Sequence, residues 1–249
     1  MPSSLSNSIM KSGEILGYLS GGVNKISDLS IKIGLSKSST HRLLKSLEAS
    51  RLVVQDPLTR QYFLGPRIFE LASQPLCAHE NLILAAAEGM KQLRDSSGET
   101  VGLYVRIGLE RICLEEVPSP QNIKHLVGKG RVLPLYAGSS GKVLLAGLDD
   151  DELHTVLSHL TLRRVTHNTP TRKQELRNEL DRVRREGYAT SFSEAVLGGA
   201  SICVPIKGYV CPVALAVMGP DNRFTGDVMM ELLDDLRRVA ERIFKRIRN

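Results

Sequence analysis

Apolar and polar positions over residues 25–50 predict two short helices joined by a tight turn. Gly34 lies between them, and a glycine at this place supplies the left-handed residue that ends a helix. The second helix begins at Ser36 and has a leucine stripe at helical spacing, formed by Leu43, Leu44 and Leu47. The apolar side chains of the first helix, which we expect to point largely toward a core, are Ile26, Leu29, Ile31 and Ile33.

The face of the second helix opposite the leucines carries cations and small hydroxyl groups, with no acidic residue before Glu48. Cations contact phosphates, and short polar side chains allow a helix to approach base edges, so this face suits the major groove of DNA. Taken alone, the helix also fits a solvated surface helix. The residues of this segment that we predict to bind DNA are Ser36, Lys37, Ser38, Ser39, Thr40, His41, Arg42 and Lys45.

A β-hairpin is predicted directly after this helix. Two apolar-alternating runs flank residues 56–60, where Asp56-Pro57 starts a turn. A hairpin in this position is the wing of a winged helix-turn-helix, and Arg60 at its tip is placed to touch a phosphate or to reach the minor groove. With a supporting helix over 8–19, we predict a DNA-binding domain over residues 1–68.

The remainder of the chain has an α+β pattern. Residues 67–76 and 79–93 are patterned as helix, and Pro75 between them predicts a split or kink in a linker helix region over 69–93. Beyond it we predict an antiparallel sheet covered by helices, in a domain over residues 80–249. The predicted strands are 100–106, 111–117, 132–136, 201–206 and 212–218, and the predicted helices are 140–145, 150–160, 172–186 and 227–248.

Positive charge is concentrated in the first domain. The net charge of the 249-residue chain is +6, and residues 1–68 hold nine Lys and Arg against four Asp and Glu, a net +5. This agrees with the electrostatic footprint of a nucleic-acid-binding domain. No stretch approaches the roughly 20 apolar residues of a membrane span, and the N-terminus lacks the pattern of a secretory signal, so we expect a cytoplasmic protein with no membrane partner.

The sequence predicts neither a metal site nor a catalytic site. The four cysteines form no C-x-x-C pair and do not cluster with the six histidines, which favours buried or idle thiols over a zinc site, although His154, His159 and His167 could still converge through a loop. The run Gly138–Lys142 ends like a P-loop, but Tyr136 stands where the first glycine is required. We therefore expect no enzyme activity and no cofactor.

Several short motifs, in their order and spacing, resemble the IclR-type family of bacterial transcriptional regulators over nearly the whole chain. They include residues 36–40, 62–65, 98–101, 135–146, 187–189 and 204–206. The resemblance implies an N-terminal winged helix-turn-helix and a C-terminal GAF-like effector domain. It further implies a dimer or dimer of dimers on a palindromic DNA operator, with a small metabolite changing the affinity and with repression favoured over activation.

The resemblance also implies an effector pocket. A carboxylate effector suits it, because Ser139 and Ser140 open a helix whose free amides attract anions, although these serines could simply cap that helix. Family members that bind very small oxo-acids tend to have more polar residues at three of the positions, which here suggests an acid with an apolar or aromatic body. The implied pocket residues are Leu133, Ser139, Ser140, Ser191, Gly199, Ser201, Ala216 and Met218.

Two other classes of protein remain open at this point. The chain could be a small-molecule-binding module without sequence-specific DNA binding, which predicts no salt-dependent retention of DNA. It could also be an enzyme that modifies its ligand, which predicts turnover of a bound carboxylate.

Overall fold

The computed structural model of the chain describes residues 6–71 and 79–248. Its internal contacts divide the chain into two units, Met1–Ala78 and His79–Asn249. Each unit has its own hydrophobic core. The units are described separately below.

The first unit contains three helices followed by a hairpin. Helix α2 ends at Gly34, whose φ of 67° is a left-handed conformation that glycine adopts without steric cost. Residues 66–71 after the hairpin are helical. The elements are α1 (Asn7–Ser20), α2 (Ile26–Ile33), α3 (Lys37–Ala49), β1 (Val53–Gln55) and β2 (Tyr62–Leu64).

Two side chains from each helix and one from each strand form the core of the first unit. The hairpin is tied to the helices by its backbone, because the amide of Tyr62 donates to the carbonyl of Asn24 at 2.9 Å. The prediction that Ile31 points toward the core is wrong, since 79% of this residue is exposed. Ile31 lies two positions from Leu29 and from Ile33, which is about half a turn around the helix. The core residues are Ile15, Leu19, Leu29, Ile33, Leu44, Leu47, Val53 and Tyr62.

The second unit alternates helices with strands. The hairpin turned at Gly108 and the long terminal helix are confirmed, and the other predicted elements agree with the structure to within a few residues at their ends. Its elements are α4 (Glu80–Ser97), β3 (Thr100–Ile107), β4 (Glu110–Val117), β5 (Val132–Pro134), α5 (Ser139–Ala146), α6 (Asp150–His159), α7 (Lys173–Glu186), β6 (Ala189–Phe192), β7 (Gly199–Ile206), β8 (Val213–Pro220) and α8 (Gly226–Arg248).

The strands of the second unit form one antiparallel sheet in the order β5-β4-β3-β8-β7-β6. Successive residues of a strand point to opposite faces, and the two faces are covered differently. Val213, Leu215 and Val217 of β8 pack with α4 and α8, whereas Ala214 and Ala216 face α5, α6 and α7. The sheet is therefore the middle layer of three.

The sequence pattern missed β6. This edge strand has four residues, and it pairs with β7 from Ala189↔Cys203 to Phe192↔Ala200. Thr190 and Phe192 favour strands, but a run of four residues is too short to show a clear alternation of its own.

The predicted fold class is confirmed: a winged helix-turn-helix unit and an α/β unit. The predicted kink at Pro75 lies outside the described residues. No helix in the described ranges is both long enough and apolar enough to cross a membrane.

Candidate DNA-reading helix and ligand cavity

Helix α3 presents a polar, basic surface on the side opposite its buried leucines. Lys37, Ser38, His41 and Arg42 are exposed, and Ser39 is half-buried. Ser36 caps the helix, because its Oγ accepts a hydrogen bond from the amide of Ser39 at 3.2 Å. The predicted contact residues other than Thr40 therefore share an accessible face or its first turn.

The structure corrects the prediction that Thr40 contacts DNA. Its side chain is fully buried, and its Oγ1 donates to the carbonyl of Ser36 at 3.0 Å. Thr40 therefore faces the core and fastens the first turn of α3, so its hydroxyl is not presented to DNA. It lies one position from each of the outward residues Ser39 and His41, and a helix turns about 100° per residue.

The two other predicted cations have defined surroundings. Lys45 is exposed and forms an ion pair with Glu48 at 2.7 Å, one turn along α3. Arg60 is exposed at the wing tip and has a φ of 58°. The turn before it is held by Asp56, whose carboxylate accepts from the amides of Leu58 and Thr59. Hydrogen bonds from Thr59 hold the pKa of Asp56 below its ordinary value.

The second unit encloses a cavity of about 120 Å³ on the sheet face that carries α5. It lies between the start of α5, the strands β7 and β8, and the irregular segment 118–131. All eight residues implied by the resemblance line it: Leu133, Ser139, Ser140, Ser191, Gly199, Ser201, Ala216 and Met218. The structure thus brings the whole predicted set to one place.

The first turn of α5 forms one wall of the cavity. Its N-cap residue is Gly138, and no side chain caps the helix within the described residues, so Ser139 and Ser140 are not caps. Ser139 Oγ instead lies 2.7 Å from Ser201 Oγ across the cavity edge. A Cβ built on Gly141 would lie 2.0 Å from the carbonyl oxygen of Leu135, so the chain passes too close here for any other residue.

A buried ionic cluster fixes this wall from behind. Lys142 is 2% exposed, and its Nζ contacts Glu194 at 2.6 Å and Glu179 at 2.8 Å. The second carboxylate oxygen of Glu194 accepts the amide of Gly138 at 3.1 Å. Because removing one partner of a buried ion pair leaves an uncompensated charge, this cluster strongly determines the position of α5.

Four polar cavity residues were missed by the sequence analysis: Tyr104, Arg111, His125 and Arg131. Arg111 and Tyr104 follow strand alternation onto the cavity face, so the pattern could have placed them on that face but could not show what covers it. His125 lies in an irregular segment, where no periodicity exists. Burial raises the pKa of Tyr104 well above its ordinary value and lowers the pKa values of Arg111 and His125.

The two buried cysteines are poor nucleophiles. Cys113 and Cys203 are buried, and burial raises the pKa of Cys113 to about 12 and that of Cys203 further. Cys77 lies outside the described residues. Within the described ranges, no group of three or more His, Cys, Asp or Glu side chains is arranged to hold a metal ion.

The fold and the two sites define a class: helix-turn-helix regulators that carry a separate α/β unit with a ligand-sized cavity. Residues 8–57 match the IclR helix-turn-helix domain, and residues 75–245 match the C-terminal domain of the bacterial transcriptional regulator IclR. The chain therefore belongs to the IclR family of bacterial transcriptional regulators. The relatives found in this family are transcriptional regulators.

Individual relatives agree with this assignment. The HTH-type transcriptional repressor AllR of Escherichia coli strain K12 is 31% identical over 217 residues, which cover 86% of this chain and 80% of AllR. The crystal structure of Thermotoga maritima IclR is 27% identical, covers 97% of this chain and 98% of its own, and has a TM-score of 0.76.

A third relative was solved with a ligand. The structure of an IclR homologue of Microbacterium hydrocarbonoxydans, complexed with 4-hydroxybenzoate, is 24% identical with a TM-score of 0.76. It covers 97% of this chain and 99% of its own. At this identity the likeness shows the fold alone.

Proposed function

We propose that the protein is a ligand-responsive transcriptional repressor that binds a palindromic operator as a dimer or dimer of dimers. The exposed face of α3 carries the proposal, because it combines cations with small hydroxyl groups and contains no carboxylate before Glu48. One such helix reads too few base pairs to be selective, so two-fold repetition on the DNA is required. Its site of action is the cytoplasm, where the chromosomal operator lies.

The exposed residues of α3 and the wing divide into two roles. Lys37, Ser38, Ser39, His41 and Arg42 are the base-reading set, while Lys45 and Arg60 contact the backbone. Base contacts contribute roughly 1–3 kcal/mol of discrimination each, whereas phosphate contacts add affinity for any sequence. Lys45 must release Glu48 before it can neutralise a phosphate, because the two side chains form an ion pair in the free protein.

The proposed effector is a small organic acid with an apolar or aromatic body. The start of α5 offers amides to a carboxylate. The rest of the cavity wall is mainly apolar, with Val127, Leu133, Ala216 and Met218 among its residues. A volume of about 120 Å³ is several times what one water molecule needs, so a small organic molecule fits.

The test of this function is a fluorescence-anisotropy titration on DNA taken from just upstream of the protein's own coding region, with unlabelled random DNA as competitor. We expect binding that resists the competitor and that shifts when one of a panel of aliphatic and aromatic acids is added. Binding no tighter than to random DNA would favour a ligand-binding module. Chemical turnover of an added acid would favour an enzyme.

Variants assign the roles of individual residues. Arg42→Ala should weaken operator binding more than binding to random DNA, whereas Lys45→Ala should weaken both about equally. Arg172→Ala is the matched control, since Arg172 is an exposed cation of the second unit whose side chain is 80% exposed. An Arg42→Ala variant that loses both kinds of binding equally would overturn the assignment to bases.

The effector class has a separate test. Calorimetric titration should show binding of an acid with an apolar body, such as 4-hydroxybenzoate or a branched aliphatic acid. Tight binding of pyruvate or glyoxylate, without any response to larger acids, would contradict the proposed class.

A further inference from the structure

The guanidinium of Arg111 is buried in the wall of the cavity without an acidic partner. Arg111 is 3% exposed, and no carboxylate of the described residues lies within 4.0 Å of it. It is also paired in register with Arg106 on β3, so its cross-strand neighbour is another cation. A buried charge without a counter-charge is costly to keep in a folded protein.

The hydrogen bonds of Arg111 leave much of its binding capacity unused. Its Nη1 donates to the carbonyl of Pro134, which fixes the position of the group. Its Nε is buried without a hydrogen-bond partner in the part of the chain that the structure describes. A guanidinium presents its N–H groups in a planar fork that matches the two oxygens of a carboxylate.

The surroundings of Arg111 favour an anion. The guanidinium lies against the first turn of α5, since a Cβ built on Gly141 or Gly138 would be 3.0 Å or 3.3 Å from its nitrogens. The other charged or ionisable cavity residues are Tyr104, Arg131 and His125, and no Asp or Glu of the described residues lines the cavity. The nearby Glu194 is already engaged by Lys142 and by the amide of Gly138.

We infer that Arg111 is the counter-charge for a carboxylate held between its guanidinium and the amino end of α5, which makes it the residue that restricts effectors to anions. The inference rests on the proposed function only in calling the bound acid an effector, because binding of an acid by the cavity can be measured without DNA. It assigns a second, charged contact to a site for which the helix amides alone would accept a neutral oxygen as well.

The experiment compares thermal unfolding of the full-length protein with that of Arg111→Met. The probes are acetate, pyruvate, benzoate and 4-hydroxybenzoate, with acetamide and benzamide as uncharged analogues, all at matched ionic strength. For the wild type we expect a concentration-dependent rise in Tm with at least one acid and no rise with its amide. For Arg111→Met we expect no acid response.

The ligand-free proteins separate a binding role from a structural one. Because methionine removes an uncompensated buried charge while nearly keeping the volume, Arg111→Met should melt at the wild-type temperature or up to about 4 °C higher. A clearly lower Tm would show that Arg111 serves the fold and would overturn the inference. An acid response equal to that of the wild type, or a wild type that responds to none of the acids, would overturn it too.

Arg106→Met is the matched control. Arg106 lies opposite Arg111 in the strand register but forms an ion pair with Glu152 and is not among the cavity residues. This variant should keep the acid response. Loss of the acid response in Arg111→Met but not in Arg106→Met therefore tests the role of Arg111, whereas failure of the wild type to bind an operator tests the proposed function.

Discussion

Side chains one position apart on α3 have opposite tasks. His41 is exposed to solvent, while the neighbouring Thr40 is fully buried and bonded to the carbonyl of Ser36. The hydroxyl of Thr40 therefore stabilises the helix that presents the cations. Whether a polar side chain of α3 can contact DNA therefore depends on the face of the helix on which it lies, as well as on its residue type.

Replacing Thr40 with valine tests this distinction. Valine keeps the shape and loses one hydrogen bond, while the Ser36 carbonyl still accepts the amide of residue 40 at 2.9 Å. We expect the free energy of unfolding to fall by about 1 kcal/mol, with an unchanged ratio of operator to random-DNA affinity. Chemical denaturation and DNA titration measure the two quantities.

The control for Thr40→Val is Ser46→Ala, an exposed hydroxyl that bonds to the Arg42 carbonyl at 3.1 Å. It should change stability less, because water replaces the lost bond. If Thr40→Val reduced the affinity ratio as Arg42→Ala is expected to do, the buried position of Thr40 would not describe the DNA-bound protein.

His125 predicts a dependence of stability on pH. Burial lowers its pKa, and the Glu116 carboxylate opposes this shift only in part. The folded state therefore disfavours the protonated ring, so the contribution of His125 is complete above its ordinary pKa of about 6.5 and is lost as the pH falls below that value. Melting temperatures between neutral and mildly acidic pH measure the slope.

His125→Gln should flatten this slope, because glutamine does not titrate. The exposed His154→Gln is the control and should leave the slope as in the wild type. Equal slopes for the wild type and His125→Gln would mean that other groups, such as His79, whose pKa burial also lowers, cause the whole effect.

At the scale of elements, the first turn of α5 depends on the absence of a side chain at Gly141. Alanine there would place its Cβ 2.0 Å from the Leu135 carbonyl oxygen, which is backbone and cannot rotate away. We expect Gly141→Ala to lower the free energy of unfolding by about 1–3 kcal/mol and to abolish the acid response, since the helix start must move. Denaturation and calorimetry check both results.

Gly13→Ala is the contrasting substitution. Gly13 lies within α1, is exposed, and has open space where a Cβ would be. Alanine should therefore raise stability by about 0.4–1 kcal/mol through its lower chain entropy in the unfolded state. If both variants were destabilised to the same extent, the contact with Leu135 would not be the cause.

The elements show where prediction from sequence succeeds. Long periodic segments such as α8 and paired alternating runs such as β3 and β4 contain enough repeats to define their type. The four-residue β6 does not, because its partner β7 supplies the hydrogen bonds that make it a strand. Ile31 was misplaced because α2 is short, and two turns leave the direction of its apolar face poorly defined.

The cavity was predictable in part. The order of the motifs indicates its eight implied residues. The binding role of Arg111 depends on its position beside Gly138 and Gly141, which follow it by nearly thirty residues in sequence and contact it only in the folded chain. Alternation can assign Arg111 to a face of β4. It cannot show that the covering segment brings no carboxylate.

For the whole molecule, the uneven charge predicts how DNA binding responds to salt. Net charge of +5 over residues 1–68, out of +6 for the chain, places the phosphate-binding capacity in the first unit. If a dimer makes 6–10 phosphate contacts, affinity should fall by roughly 10³–10⁵ between 50 and 200 mM salt. Anisotropy titrations over this range give the slope.

Single-cation variants calibrate that slope. Arg60→Ala should reduce the logarithmic salt slope by about 1 for each copy that touches a phosphate. Arg172→Ala of the second unit should leave it unchanged. A slope near zero for the wild type would contradict phosphate binding by the first unit.

Glu194 fixes one side of the ligand cavity, whereas the other side is an irregular segment. Its carboxylate accepts hydrogen bonds from the amide of Gly138 and from Lys142, and its backbone carbonyl accepts one from the hydroxyl of Thr169 at 2.7 Å. These contacts link α5 to the segment near residue 169. The opposite side, residues 118–131, contains no helix or strand, and separate hydrogen bonds to Gly98, Cys113, Glu116 and Arg223 hold it. We therefore expect the irregular segment to adjust its conformation when an acid enters the cavity. Amide exchange should slow over 122–131 and in the first turn of α5 when acid binds, and it should stay nearly constant over the rest of α5.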